Sequence, residues 1–328
     1  MDGNSLILVA LALLNAAQST QSGTEKPAPV APAWRVALTA VKPDATFDAA
    51  GDRSILATDD AVWLRSRADG SLRRIDPKSN AVTQTIAVGK EPCGSMVAAF
   101  GSVWVPLCGQ AAVARVDVKT NAVAATMPTS LAGELPALAS GVGSVWVLTG
   151  KAAMLARVDP ETNAAVAEID VPPGSNALAF GSDALWISAG ARDVVTRLDP
   201  YTNLVTESIK VGKRPVSVVV GEGAVWALNQ DAGTVSRIDP KTNKVVETVQ
   251  IGTPGAAGQI AAGAGAVWVS RVGAPLTRID PRTNHVAQQF TGEGGGVVTF
   301  GHQSLWLAAT ASAVWRLDPK LVQATRPK

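Results

Sequence analysis

The stretch Ala224 to Gly252, AVWALNQDAGTVSRIDPKTNKVVETVQIG, reads as three short strands separated by two turns. Ala224 to Leu228 is an apolar strand carrying Trp226, residues 229–233 are a loop, and Thr234 to Ile238 is a second strand. The segment Asp239 to Asn243 is a turn with a physical basis: Pro240 presets φ, Asp239 can bond backbone amides ahead of it, and Asn243 tolerates the left-handed region. Lys244 to Ile251 then alternates as an outer strand. Immediately upstream, Val216 to Val220 is a nearly all-apolar run that fits a strand buried on both faces, and Gly221 to Gly223 is a tight hairpin turn. The unit therefore holds four antiparallel strands.

The chain carries seven versions of this unit. Its Trp recurs at Trp63, Trp104, Trp146, Trp186, Trp226, Trp268 and Trp306, spaced by 41, 42, 40, 40, 42 and 38 residues. An Asp follows each Trp by 12 or 13 residues, at Asp76, Asp117, Asp159, Asp199, Asp239, Asp280 and Asp318. Two positions before each Asp stands an Arg: Arg74, Arg115, Arg157, Arg197, Arg237, Arg278 and Arg316. Self-similarity at this period marks an array of supersecondary units, and about 40 residues suits one four-stranded propeller blade. The expected fold is all-β, a seven-bladed propeller.

Arg and Asp at i and i+2 on a strand share one face. Seven identical pairs cannot be seven active sites, so each is expected to staple its own blade through a hydrogen-bonded ion pair. The seven Trp are read as packing residues at contacts between blades. The last repeat stops after Asp318 without the Thr-Asn turn or the outer strand. At the other end, Trp34 to Val41 resembles a surplus outer strand, and Lys42-Pro43 follows it as Gly-x-x-Pro follows the others. This N-terminal strand is expected to complete the seventh blade, because a ring cannot leave an edge unpaired. Trp315 is expected near Trp34 at that seam.

A length of 328 residues ordinarily suggests two domains, but the repeats run from 54 to 320 without a compositional break. One domain over 34–320 is expected, with 34–41 as the closing strand and 321–328 as a tail. Residues 6–14, LILVALALL, form an apolar run too short for the roughly 20 residues of a membrane span. The run fits a secretory leader over 1–19, with small residues at Ala17 and Ser19 for cleavage. Residues 20–33, with Pro27, Pro29 and Pro32, read as an extended tether. A periplasmic or extracellular monomer is the corresponding expectation. A net charge of +2 and no Lys/Arg cluster argue against a nucleic-acid partner.

In such a ring, the loops from outer strand to next inner strand share a face with those between the second and third strands. Ligands of propellers usually meet this face at the mouth of the central channel, and here its loops carry mixed charge. Arg65, Arg67, Lys90, Lys151, Arg192, Lys213, Arg214 and Arg271 are basic, while Glu91, Glu134, Asp193, Asp231 and Glu293 are acidic. They are either ordinary solvated charge or a weakly basic rim for an anionic molecule or acidic partner. The two histidines, His285 and His302, fall on the opposite face. Cys93 precedes the first strand of the second unit and Cys108 follows its Trp strand, so the two face each other across a hairpin. Outside the cytoplasm a disulfide is expected; the alternative is two buried thiols.

The consensus GAVWV…VxRIDPxTNxVxxTIxVGxxP resembles the YVTN-repeat (YncE-type) bacterial surface and periplasmic seven-bladed propellers. It also resembles the broader virginiamycin B lyase-like (streptogramin lyase-like) group. The resemblance covers residues 54–320 and is specific for the fold. It implies for the lyases an elimination that opens a cyclic depsipeptide, using His and Glu residues and Mg²⁺ on one face. Lyase blades read closer to LWFTE…N.IGRI, and none of the seven units here has the Phe-Thr-Glu run. The leading expectation is a non-enzymatic propeller, without cofactor, that binds a protein, peptide or small ligand on the loop face. The alternative is a lyase or lactonase-like hydrolase using Mg²⁺ or Ca²⁺ held by Glu91, Glu134, Asp193 and Glu293.

Overall fold

The computed structural model describes residues 34–49, 53–133, 136–150 and 153–326. The leader and the tether before Trp34 lie outside these residues. Seven antiparallel sheets follow one another along the chain and form a seven-bladed all-β propeller. Blade five shows the plan. Its strands are Pro215–Gly221, innermost, then Ala224–Asn229, Thr234–Asp239 and Lys244–Gln250, outermost. The hairpin between the first two has Glu222 at φ 48° and Gly223 at φ 77°, so both central residues are left-handed. Two such residues make the primed turn whose twist matches the flanking strands.

The Trp strand is the most buried in every blade, and all seven Trp side chains are fully buried. Six of the indoles donate Nε1–H to the carbonyl five residues earlier, as Trp226 does to Gly221 at 3.1 Å. Trp63 donates instead to the Thr58 hydroxyl. A buried indole thus keeps its single donor satisfied.

The repeated Arg does not pair with the Asp two positions on, contrary to the expectation of a staple within each blade. In six blades the guanidinium lies over its own Trp ring, 5.2 to 5.7 Å from the centroid. From there it reaches the turn that follows the repeated Asp of the next blade. Arg237 donates to Pro281 O at 2.8 Å and to Asn284 Oδ1 at 2.7 Å. Arg74, Arg115, Arg157 and Arg197 reach Asn121, Asn163, Asn203 and Asn243 in the same way, and Arg316 closes the ring onto Asn80. The Asp is taken up by the amides of its own turn, so the guanidinium finds its acceptors on the neighbouring blade. Asp239 instead caps its own turn, accepting from Lys241 N at 2.8 Å.

The ring is closed by an N-terminal strand, but not by the segment expected. β1 (Trp34–Ala37) pairs parallel to the outer strand of blade six, His285–Thr291, as a fifth strand. β2 (Ala45–Asp48) is the strand that completes blade seven, antiparallel to Ala313–Leu317. Phe47 decides the matter. It sits opposite Val314, the place that Val249 takes opposite Val235 in blade five, and its ring lies 5.8 Å from that of Trp306. The sequence Thr46-Phe47-Asp48-Ala49 is a degenerate Thr248-Val249-Gln250-Ile251, and that is the signal Trp34 obscured. Trp34 and Trp315 stand on different sheets.

After Asp318 the chain forms α1 (Pro319–Ala324) where a free tail was expected. Asp318 caps it by accepting from Lys320 N, and Pro319 at the first position suits a helix start. Val322 is fully buried in the core shared by blades six and seven. Blade seven therefore offers no Asn to Arg278, which bonds Gln288 Oε1 at 2.7 Å instead. Gln288 in turn donates to Val322 O and Thr325 O, both at 3.0 Å. Among the described residues, no helix is long and apolar enough to cross a membrane.

Candidate functional site

The channel mouth is framed by the starts of the seven inner strands, the crossings that feed them, and the loops after the Trp strands. Its polar groups tie neighbouring blades together. Ser95 Oγ accepts from Leu138 N at 3.1 Å, Asn176 Nδ2 donates to Pro215 O at 3.0 Å, and Gln259 Oε1 accepts from Val298 N at 3.4 Å. Asn176 and Gln259 interrupt otherwise apolar inner strands and Ser95 precedes one, a signal present in the sequence. The loop of blade five is equally engaged. Asn229 is fully buried and donates to Thr234 and Ser236, and Gln230 donates to Gly255 O.

Two of the expected rim cations are not on the rim. Arg65 is 1% exposed and donates to Pro92 O in the crossing from blade one to blade two. Arg271 is 3% exposed and donates to Thr253 O at 2.8 Å and Ile251 O at 2.6 Å. Burial pushes its guanidinium below the usual range. Both side chains end the Trp strand and turn under a crossing, whose carbonyls they satisfy. Lys151 and Glu134 lie outside the described residues.

The remaining charges are exposed or half-buried and lie in groups. Arg67 pairs with Glu91 at 3.3 Å beside the disulfide Cys93–Cys108, whose Cα atoms are 5.8 Å apart. Lys90 is exposed in the same crossing, and its amide bonds Gln110 Oε1. The larger group straddles blades four and five. Lys210 lies 3.6 Å from Asp193, Asp193 accepts from Arg214 N at 2.9 Å, and Arg214 lies 3.8 Å from Asp231. Exposed Arg192 and Lys213 stand in the same two loops, so four cations face two carboxylates. Lys210 belongs to this group and was missed because it ends an outer strand and was not counted with the loops.

Among the described residues, the acidic candidates Glu91, Asp193 and Glu293 do not converge. Glu91 is bound to Arg67, Asp193 braces the crossing from blade four to blade five, and Glu293 is exposed between blades six and seven. Among the described residues, no three His, Cys, Asp or Glu side chains form a group able to hold a metal ion. His302 lies in the inner hairpin of blade seven on the opposite face, with Nε2 3.2 Å from Ala61 O. His285 opens the outer strand of blade six on that same face. A cavity of about 160 Å³ opens between blades three and four beside Leu148, Met154 and Ser175, too small to enclose a drug-sized ligand.

The class that this architecture defines is the seven-bladed β-propeller, and its solved structural neighbours include virginiamycin B lyase-type propellers. A streptogramin B lyase structure superposes with a TM-score of 0.69 at 19% identity, covering 82% of this chain and 96% of that one. Virginiamycin B lyase from Staphylococcus aureus gives a TM-score of 0.72 at 18% identity, covering 84% and 98%. A third structure, U3-55K, gives 0.64 at 13%, covering 84% and 100%. At such identities the likeness shows the fold alone. No protein-family model and no curated protein sequence matches the chain.

Proposed function

We propose that this propeller is a non-enzymatic binding protein, working outside the cytoplasm as a monomer, that takes an acidic peptide or protein segment on the face of the channel mouth. The observation that carries this reading is the charge group of blades four and five, where Arg192, Lys210, Lys213 and Arg214 outnumber Asp193 and Asp231. Its breadth and lack of an enclosed pocket favour an extended partner over a small molecule. The disulfide is compatible with an oxidising compartment. A fluorescent hexaglutamate peptide serves as probe. Reversing charge in Arg192→Glu with Lys213→Glu is expected to weaken its binding about tenfold and to flatten its salt dependence. Reproducible ring opening of quinupristin in the presence of Mg²⁺, lost on mutation of the same face, would overturn the reading.

A further inference from the structure

The outer edges of the seven blades are not alike. An outer strand turns unpaired amides and carbonyls outward, a template for another strand unless charge, proline or a covering segment blocks it. Blade six is covered. β1 lies along it in parallel register, Trp34 beside Gln288, Arg35 beside Gln289, Val36 beside Phe290 and Ala37 beside Thr291. Arg35 donates twice to Gln289 Oε1, at 3.1 and 3.2 Å, and Val36 joins the core that contains Phe290. The chain thus shows how a fifth strand seats on one of its own blades.

The four places that β1 covers recur in every blade, the first of them opposite the repeated Arg, as Gln288 is opposite Arg278. In blades four and five that first place holds Glu207 and Glu247, and in blade three Glu168 holds the second. The fourth place is Pro128 in blade two, which has no amide hydrogen to give, and Asp48 in blade seven. Blade one alone matches blade six. Gln84 is opposite Arg74, Thr85, Ile86 and Ala87 follow, and the whole strand Ala81–Ala87 has neither charge nor proline. Gln84, Thr85 and Ala87 are exposed, and among the described residues this strand is the last of its sheet.

We infer that the outer edge of blade one takes an extended segment of a partner protein as a fifth, parallel strand, in register with Gln84 to Ala87. Main-chain hydrogen bonds hold the segment, and two side-chain places select it. The residue beside Ile86 takes the place of Val36 and extends the core of blades one and two, into which Ile86 packs. The residue beside Thr85 takes the place of Arg35. It shares a face with Arg73, which is bound to Asp69 at 3.0 Å and to Asp48 O at 2.9 Å, and Asp48 is itself exposed. Two carboxylates against one guanidinium leave this flank negative, a match for Lys or Arg. The occupant is therefore a segment in which a basic residue precedes a β-branched one, the order of Arg35-Val36 in β1. A second copy is disfavoured, because its β1 is already seated on blade six and its own blade-one edge offers no basic residue.

A dye-labelled, acetylated peptide with the sequence of residues 34–41, WRVALTAV, serves as probe, titrated with the full chain and followed by fluorescence anisotropy. Saturable binding is expected below about 1 mM. Thr85→Lys puts a charge on the edge at an exposed position, and is expected to weaken binding about tenfold with an unchanged thermal midpoint. Ser208→Lys, the same change at the equivalent place on blade four, is expected to bind as the parent does. A peptide N-methylated at both Arg and Val loses an amide turned toward the sheet in either phase of the strand, and is expected not to bind. No saturable binding, equal weakening by both Lys variants, or equal binding of the N-methylated peptide would each overturn the inference. So would unchanged binding to Thr85→Lys, the result if the peptide displaces β1, or dimerisation of the chain that Thr85→Lys abolishes, which gives the edge to a second copy. Arg192→Glu with Lys213→Glu is expected to leave this binding intact, so failure here and failure of the hexaglutamate experiment are told apart.

Discussion

Arg237 performs three tasks with one guanidinium: it covers Trp226 at 5.2 Å, and it satisfies Pro281 O and Asn284 Oδ1 on the next blade. Hydrogen bonds from a charged donor contribute roughly 1.5 to 3 kcal/mol, and a partly buried cation–π contact about 1. Arg237→Ala is therefore expected to lower unfolding stability by about 3 kcal/mol in a urea titration. Combined with Asn284→Ala it should fall short of additivity by about 1 kcal/mol, since both report one contact. Asn284 itself is fixed twice over, by its partner and by its φ of 59°. The capping carboxylates set the behaviour in acid. Backbone amides of Lys78, Thr120, Tyr201 and Lys241 hold Asp76, Asp117, Asp199 and Asp239 below the usual carboxylate range. At Asp69 burial acts upward, and bonds from Ser71, Ser66 and Arg73 outweigh it and leave the pKa at about 2. A folded-state pKa below the unfolded value of about 3.9 gives stabilisation that is complete above that pH and is lost as pH falls through the folded value. Stability followed by Trp fluorescence should thus decline from about pH 4 downward, and Asp239→Asn should make that decline shallower.

At the scale of elements, β2 is the least regular strand in the ring and the one that closes it. Phe47 is 7% exposed and fills the core between Val314 and Trp306. Phe47→Ala is expected to cost about 3 kcal/mol, measured by denaturant unfolding, through the cavity and the loosened closure together. The strands of the seven repeats were legible from the spacing of Trp and Asp because one pattern, copied seven times, averages out local ambiguity. β2 was not, because Ala45–Asp48 keeps only the Thr and one large apolar residue of that pattern, while Trp34 imitates it from a different sheet. α1 was hidden likewise: an Asp-Pro pair opens a turn in five other units and a helix in the seventh, where Leu321-Val322 replaces the Thr-Asn of the turn. On the channel face, Arg65 and Arg271 show why charge alone misleads. A guanidinium at a strand end is long enough to turn inward, and only the carbonyls of Pro92, Thr253 and Ile251 reveal that it does.

Across the whole molecule, the blades form a cycle of six Arg-to-turn clasps and one junction of another kind. Between blades six and seven the clasp is replaced by Gln288, α1 and a core that includes Val36, Leu38 and Val322. Both ends of the described fold are thus gathered at one junction, and β1 precedes β2 along the chain. This arrangement has a mechanical reading. Tension applied at Trp34 along the axis of β1 loads all its pairings with Gln288 to Thr291 together in shear. The load reaches the β2 latch only after those pairings yield. β1 is a strain relief, like the clamp that holds a cable so that a tug on the cord never reaches the joint.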